Sequence, residues 1–186
     1  MKNLIKTVVF LLILIGMISV ADRLYNPAGT MGAWYQSNAI VNFYQKDKNT
    51  MDVIYIGDSN VYTGISPLEI YDRTGITGYS YSTPNQKVWS SYYMLKEIYK
   101  SQLPKIVFLE TNEFFVNSID DDEISKRNVF DTMKLGKNKL DMINDKVYHL
   151  STYEKLECIF PVIKYHSRWS KLNEYDIRKF VNTDYL

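Results

Sequence analysis

Hydrophobic residues are unevenly distributed along this 186-residue chain, and the longest apolar stretch lies near its start. Lys2 and Lys6 precede an uncharged run from Thr7 to Ala21. A positive segment followed by a hydrophobic one is typical of export and insertion signals. We interpret residues 1–21 as an uncleaved membrane anchor. The alternatives are a cleaved signal peptide, with Ser19-Val20-Ala21 as its cleavage site, and a buried core helix.

Both the anchor and the signal peptide place the rest of the chain outside the cytoplasm, because the positive residues stay inside. We therefore expect a single-pass protein of the cell membrane whose C-terminal domain is extracytoplasmic. Its N-terminal helix is expected to bind the membrane. The single cysteine, Cys158, excludes an internal disulfide and a cysteine-pair zinc site. An exported domain without disulfides is more typical of a bacterial surface than of a eukaryotic secretory protein.

After the anchor, short apolar segments alternate with segments whose apolar residues recur at helical spacing. Residues 22–50 contain Pro27 and a polar stretch, and we interpret them as a membrane-proximal connection. Residues 51–56 and 105–110 are almost continuously apolar, which predicts strands buried on both faces of a parallel sheet. Residues 78–82 are predicted to form a further strand.

Two helices are predicted between these strands. Ser66 and Glu69 form the pattern of a capping box, in which each side chain bonds the other residue's backbone, at the start of a helix over 67–73. A second helix over 86–102 has its predicted apolar face at positions of helical spacing: Val88, Tyr92, Leu95 and Tyr99. The strand, helix, strand order favours a parallel sheet with right-handed crossovers.

Downstream of Glu110 the pattern predicts helices and no further buried strand. Residues 120–123 are acidic and can open one helix by complementing its dipole. Ser151 and Glu154 form a second predicted capping box. Residues 51–186 are thus expected to form one α/β unit.

Charge and composition narrow the function. The chain has 22 basic and 21 acidic residues, and no basic stripe stands out. The electrostatic pattern of a nucleic-acid-binding protein is therefore absent. The sequence implies no metal and no organic cofactor.

One tripeptide could carry chemistry. Gly57-Asp58-Ser59 directly follows the first predicted strand, so Ser59 is expected at the carboxyl edge of the sheet, where open α/β folds bind ligands. A serine there could act as a nucleophile if a base and oxyanion donors were supplied. Such tripeptides are also ordinary turns, since glycine tolerates unusual backbone angles and Asp and Ser bond nearby amides.

The wider sequence strengthens the interpretation of Ser59 as a nucleophile. Residues 52–67, 92–97, 105–113 and 164–169, which include Lys164-Tyr-His-Ser-Arg-Trp169, resemble the SGNH/GDSL hydrolase superfamily. The closest likeness is to anchored Gram-positive surface proteins related to the teichoic-acid D-alanylation accessory protein and to alginate-type O-acetyltransferases. The resemblance implies a flavodoxin-like three-layer fold, Ser59 as nucleophile and oxyanion-hole amide, and Asp58 as support of the turn.

The chain departs from the family pattern at the other blocks. The loop that supplies a glycine amide in the family reads Thr83-Pro84-Asn85-Gln86 here, which leaves Asn85 as a candidate oxyanion donor. Asn112 is the candidate in the third block, although it lacks the preceding glycine. The family's Asp-x-x-His base motif is absent.

Only two histidines are available, and neither fits the base-bearing loop. His149 follows Asp145 at a spacing of four on a predicted helix, which indicates a solvated pair. His166 is interpreted as a structural or substrate-side residue.

Three hypotheses account for the missing base. The first is an acyl-ester hydrolase or O-acyltransferase acting on a cell-wall polysaccharide or teichoic acid, truncated and inactive as given, with an incomplete flavodoxin-like sheet. The second is a complete but non-catalytic, membrane-anchored protein that binds cell-envelope polymer or a partner. The third is an unrelated anchored α/β protein.

Overall fold

The structure, a computed structural model, describes residues 2–28, 38–114 and 123–181. A long N-terminal helix precedes a small parallel sheet, and a group of short helices follows it. The helices and strands are α1 (Lys2–Tyr25), α2 (Asn38–Phe43), β1 (Val53–Gly57), α3 (Ser59–Gly64), α4 (Pro67–Thr74), β2 (Gly78–Ser82), α5 (Val88–Ile98), β3 (Ile106–Leu109), α6 (Glu123–Phe130), α7 (Lys137–Asn144), α8 (Thr152–Ile159), α9 (Pro161–Tyr165) and α10 (Glu174–Val181), with 3-10 turns at Asn112–Phe114, Lys146–Tyr148 and His166–Lys171.

The three strands form a parallel sheet in the order β2-β1-β3, which confirms the predicted mixed α/β class. In the register, Ile54 of β1 lies between Tyr79 of β2 and Val107 of β3. Every residue of β1 is buried, because the strand has a neighbour on each side and helices on both faces.

Alternate residues of β1 face the two layers of helices, as the two-residue period of a strand requires. Ile54 and Ile56 belong to the main core, which they share chiefly with α2, α5, α6 and α7. Val53 and Tyr55 face the other way and pack against Val61 of α3. The sheet therefore lies between two layers of helices, of which the α3–α4 layer is the thinner.

The predicted apolar face of α5 is only partly correct, because Leu95 packs against the main core but the two tyrosines do not lie on the buried face. Tyr92 is 57% exposed and Tyr99 is 49% exposed, whereas Met94 and Ile98 are fully buried. The buried face also contains Glu97, which accepts a hydrogen bond from the Tyr44 hydroxyl at 3.1 Å. The helix turns the face that carries Glu97 toward these polar partners. The spacing of hydrophobic residues alone does not predict such polar contacts.

β3 is a strand as predicted, but it is not buried on both faces. Three of its four residues are exposed, including Phe108 at 53%. Within the described residues β3 is an edge strand, and Phe108 stacks against Tyr55 with ring centroids 5.4 Å apart, beside the cavity that separates it from α3.

Residues 22–50, which are predicted to form a membrane-proximal connection, contribute in part to helix α1 and to the hydrophobic core. Helix α1 continues to Tyr25, and Ile40 and Phe43 of α2 are almost completely buried in the main core. Of the acidic stretch 120–123, residues 120–122 lie outside the described residues, and α6 begins at Glu123.

The two predicted capping boxes have different outcomes. Ser151 and Glu154 make both reciprocal bonds, which confirms the second box. Ser66 accepts a hydrogen bond from the Glu69 amide at 3.3 Å, but the Glu69 carboxylate pairs with Arg73 at 2.6 Å. Only the Ser66 half of the first box is therefore formed.

Candidate functional site

Ser59 is the first residue of α3 and stands directly beyond the carboxyl end of the central strand. Asp58 is buried and caps the helix: its Oδ1 accepts a hydrogen bond from the Asn60 amide at 2.7 Å. The hydroxyl of Thr63 donates to the Ser59 carbonyl at 2.7 Å, which closes the short helix. Ser59 is half-buried, so its hydroxyl stands on a rigid turn at the rim of the sheet.

The loops that carry the three candidate residues emerge from the same edge of the sheet. Gly57 is in register with Ser82, and Ile56 with Leu109, so the three parallel strands end side by side. Ser59, Asn85 and Asn112 each follow one of these ends.

Neither candidate oxyanion donor is linked to Ser59 by a hydrogen bond that the structure records between described residues. Asn85 is exposed and has a left-handed backbone, with φ of 49°. Asn112 is exposed and donates its backbone amide to Oε1 of Glu110. The structure brings both loops to the edge where Ser59 stands.

A cavity of about 230 Å³ lies between α3 and β3, next to the Ser59 turn. Its lining is mainly apolar, and the polar side chains come from Asn60 and Glu110. Ligand sites are typically apolar cavities with a few polar groups, and this cavity has that character at a volume below their usual range of about 300–1,000 Å³. The lining residues are Tyr55, Asn60, Val61, Ile65, Phe108, Leu109 and Glu110.

A larger groove of about 650 Å³ runs along the open edge of β2, away from the turn that holds Ser59. Lys46, Leu68, Tyr71 and Tyr79 are among its lining residues, and none of the candidate site residues belongs to it. Its size alone therefore does not connect it with the candidate chemistry.

Glu110 is a site residue that sequence reasoning missed. Oε1 accepts the Asn112 amide, whereas Oε2 is buried and has no hydrogen-bond partner among the described residues. An unpartnered buried carboxylate oxygen is costly, so it marks a place where a donor from a ligand would be favourable. The available signal was an acidic residue at the carboxyl end of a strand.

The loop after β2 has a second feature that the sequence did not reveal. Oε1 of Gln86 accepts hydrogen bonds from the Thr83 amide at 2.9 Å and the Thr83 hydroxyl at 3.1 Å. Its Nε2 donates to the Ser91 hydroxyl at 2.8 Å. This buried network fixes the conformation of the loop that follows β2.

Neither histidine is positioned as a base by any contact that the structure gives for its described residues. His149 is not on a helix, contrary to prediction: it ends a 3-10 turn with φ of 50°. Asp145 does not form a helical pair with it, because the Asp145 carboxylate accepts from the Tyr93 hydroxyl at 2.8 Å. His166 is exposed, and its Nδ1 lies 2.9 Å from the Ile163 carbonyl oxygen.

Metal binding has no candidate within the described ranges, where no three His, Cys, Asp or Glu side chains come together in a way that could hold an ion. The cavity next to Ser59 is lined by a single carboxylate, from Glu110.

Comparisons with protein-family models, with curated protein sequences and with solved structures find no match to this chain. The structure defines an α/β protein whose described residues include a parallel sheet of three strands. In the described part of the chain, α1 is long and apolar enough to cross a membrane, a property that signal sequences share.

Proposed function

We propose that this chain is a membrane-anchored, extracytoplasmic SGNH/GDSL-type protein, built for acyl-ester hydrolysis or O-acyl transfer on a cell-envelope polymer such as a wall polysaccharide or teichoic acid. The observation that carries the proposal is the place of Ser59: the first residue of a capped helix, directly after the central strand of a parallel sheet, beside a small apolar cavity. The strand order β2-β1-β3 agrees with the first three strands of the flavodoxin-like order.

In the proposed chemistry, the Ser59 Oγ attacks the carbonyl carbon of an acyl ester. The Oγ–C bond forms, the ester C–O bond breaks, and the serine proton passes through a base to the leaving alcohol. Water or a polymer hydroxyl then takes the acyl group. The Ser59 amide is the proposed first oxyanion donor, and Asn85 and Asn112 are the candidates for the second.

The base is the missing component of this scheme. Neither histidine contacts Ser59 within the described residues. We therefore expect negligible turnover from this chain alone, because an oxyanion hole without a base retains little of the catalysis. The same observation favours a second candidate function, a non-catalytic anchored protein that binds envelope polymer through the Ser59 edge.

The proposed location follows from α1. Lys2 and Lys6 precede the apolar run, so the amino end stays in the cytoplasm and the α/β unit faces outward. Alkaline carbonate extraction of membranes that contain the full chain tests this: an anchored chain stays in the pellet, and a peripheral one is released.

The nucleophile is tested by fluorophosphonate labelling of the full chain in membranes, with imidazole added to supply a base. Peptide mapping is expected to find the adduct on Ser59, and Ser59→Ala to remove it. Ser170→Ala, which changes an exposed serine on a 3-10 turn, is the matched control and should label like the parent. Labelling spread equally over exposed serines would end the enzyme proposal. Polymer binding without labelling of Ser59 would support the second candidate.

A further inference from the structure

Hydrogen bonds join the carboxyl end of α1 to the helices that follow the sheet. Asp22 accepts a hydrogen bond from the Val162 amide, in the first turn of α9, at 2.6 Å. The Arg168 guanidinium donates to the Tyr25 carbonyl, and Asn26 Nδ2 donates to the Asp131 carbonyl at 2.9 Å. Residues 2–20 of α1 are exposed, and the hydrogen bonds that the structure records from α1 to other described elements come from its last turn.

This attachment fixes where a membrane surface would lie. The apolar run ends at Ala21, and the residues that contact the domain begin at Asp22. The helix rises about 1.5 Å per residue, so the contacts from Asp22 to Asn26 span about 6 Å. The polar layer outside the hydrocarbon core is of similar depth, about 5–8 Å on each side. With α1 inserted, α9, the 166–171 turn and α10 therefore lie at the outer membrane–water boundary.

Large apolar side chains are exposed in this part of the molecule. Trp169, next to the residue that holds Tyr25, is 70% exposed. Tyr175 and Ile177 of α10 and Phe160 before α9 are exposed as well. Trp and Tyr are enriched where membrane meets water, because each combines an apolar ring with one polar group. We call these four residues the anchor-side aromatic surface.

The surface is held rigidly with respect to α1. Arg168, which bonds the end of α1, also pairs with Asp176 of α10 through Nη2 and Oδ1 at 2.8 Å. Asp176 is completely buried and also accepts the Asn173 amide at 3.1 Å. One ion pair thus joins α1, the turn that carries Trp169 and the helix that carries Tyr175 and Ile177.

We propose that the anchor-side aromatic surface rests in the outer interfacial layer of the membrane that α1 crosses, with Trp169 as its deepest side chain. Lys171, exposed at the end of the same turn, faces the lipid phosphates. The occupant is thus a phospholipid interface, because the surface is continuous with the end of the spanning helix. The inference rests on the proposed insertion of α1 and adds a second membrane contact to it.

Tryptophan fluorescence of the full chain in phosphatidylcholine–phosphatidylglycerol vesicles tests the inference. Trp89→Phe combined with Trp34→Phe, a position outside the described residues, leaves Trp169 as the only tryptophan. We expect its emission to shift to the blue, to lose most of its quenching by iodide, and to be quenched by lipids that carry a label near the headgroup. Leu103→Trp in a chain without other tryptophans is the matched control, since Leu103 is equally exposed and lies before β3. It should be quenched by iodide and not by labelled lipid.

A second measurement leaves Trp34 and Trp89 unchanged, in case the double variant folds poorly. Trp169→Cys is labelled with a polarity-sensitive fluorophore, and the buried Cys158, whose pKa burial raises to about 11, stays unlabelled. We expect the fluorophore to report a lipid environment.

The outcomes separate the surface from the anchor. If the chain resists carbonate extraction while Trp169 remains open to iodide and insensitive to labelled lipid, the surface inference fails and the insertion of α1 stands. If carbonate releases the chain, both fail. Shielding of Trp169 from iodide without lipid quenching, together with crosslinking to a protein or to a second copy, assigns the surface to that partner and overturns the proposal.

Discussion

A Cβ atom on Gly57 would lie 2.4 Å from the Cβ of Glu110. The same atom would lie 2.8 Å from Cγ2 of Val61. The end of β1, the first turn of α3 and the residue after β3 therefore meet at a point where there is no room for a side chain. This close approach brings Glu110 to the wall of the cavity beside Ser59.

We expect Gly57→Ala to lower the free energy of unfolding by about 1–3 kcal/mol, as overpacking of a close contact does. It should also reduce labelling of Ser59, because the turn must move. Urea unfolding followed by circular dichroism in detergent measures the first effect. Gly64→Ala is the control, since nothing lies within 4 Å of its added Cβ. Glu110→Gly should partly rescue Gly57→Ala, and equal stability of the two alanine variants would contradict the packing argument.

Asp58 offers a test of the turn itself. Its carboxylate bonds the Asn60 amide, so Asp58→Ala should cost about 0.5–2 kcal/mol through loss of the helix cap. Asp58→Asn keeps a good capping residue and should keep both stability and labelling of Ser59. Stability curves and labelling rates of the two variants, measured side by side, check this. Loss of labelling in Asp58→Asn at full stability would show that the negative charge matters beyond the cap.

The backbone of the sheet and the position of Ser59 could be predicted from the sequence. Continuous apolar runs of about six residues, bounded by glycine or proline, predict strands of a parallel sheet. Ser59 directly follows such a run, so its place at the carboxyl edge follows from the direction of the strand. The capping pattern of Ser151 with Glu154 is local as well, and it is formed as predicted.

The orientation of α5 could not be predicted, because its buried face is partly polar. Glu97 accepts from Tyr44 and from Asn138 Nδ2 at 3.0 Å, and these partners are 53 and 41 residues away in the sequence. Such pairs let charged residues occupy the core, and hydrophobic spacing assigns them to the surface. The exposure of Phe108 depends on which elements lie beside β3. A run of apolar residues in the sequence does not reveal whether the strand lies at the edge of the sheet.

A buried ion cluster among the C-terminal helices gives a prediction about stability. Arg127 is 5% exposed in its side chain and pairs with Glu157 at 2.7 Å and with Asp131 at 3.5 Å. Arg127→Ala removes the cation that pairs with two buried carboxyl groups, so we expect a loss of about 3–5 kcal/mol. Arg73→Ala, which breaks an exposed pair with Glu69, should cost about 0–1 kcal/mol. Urea unfolding measures the free energy of unfolding of both variants. An equally small decrease in the two variants would mean that water hydrates the Arg127 cluster.

The amino end of the sheet predicts a dependence on acid. The Asp52 carboxylate lies 2.7 Å from Lys105 Nζ and accepts from the Thr77 hydroxyl at 2.8 Å. The hydrogen bond from Lys105 and those from Thr77 lower the pKa of Asp52 from 3.8 to about 2. A carboxylate with a lowered pKa stabilises the folded state above the pKa of the unfolded chain, and this contribution is lost as the pH falls.

We therefore expect the free energy of unfolding to fall more steeply between pH of about 4 and about 2 in the parent than in Asp52→Asn, which cannot titrate there. Urea unfolding in detergent across this range provides the measurement. Asp72→Asn is the control, because Asp72 is exposed and the structure gives it no hydrogen bond to another described residue. The parent and Asp72→Asn should share one acid slope and Asp52→Asn should have a shallower one. Three equal slopes would mean that Lys105 and Thr77 do not hold the Asp52 carboxylate in solution.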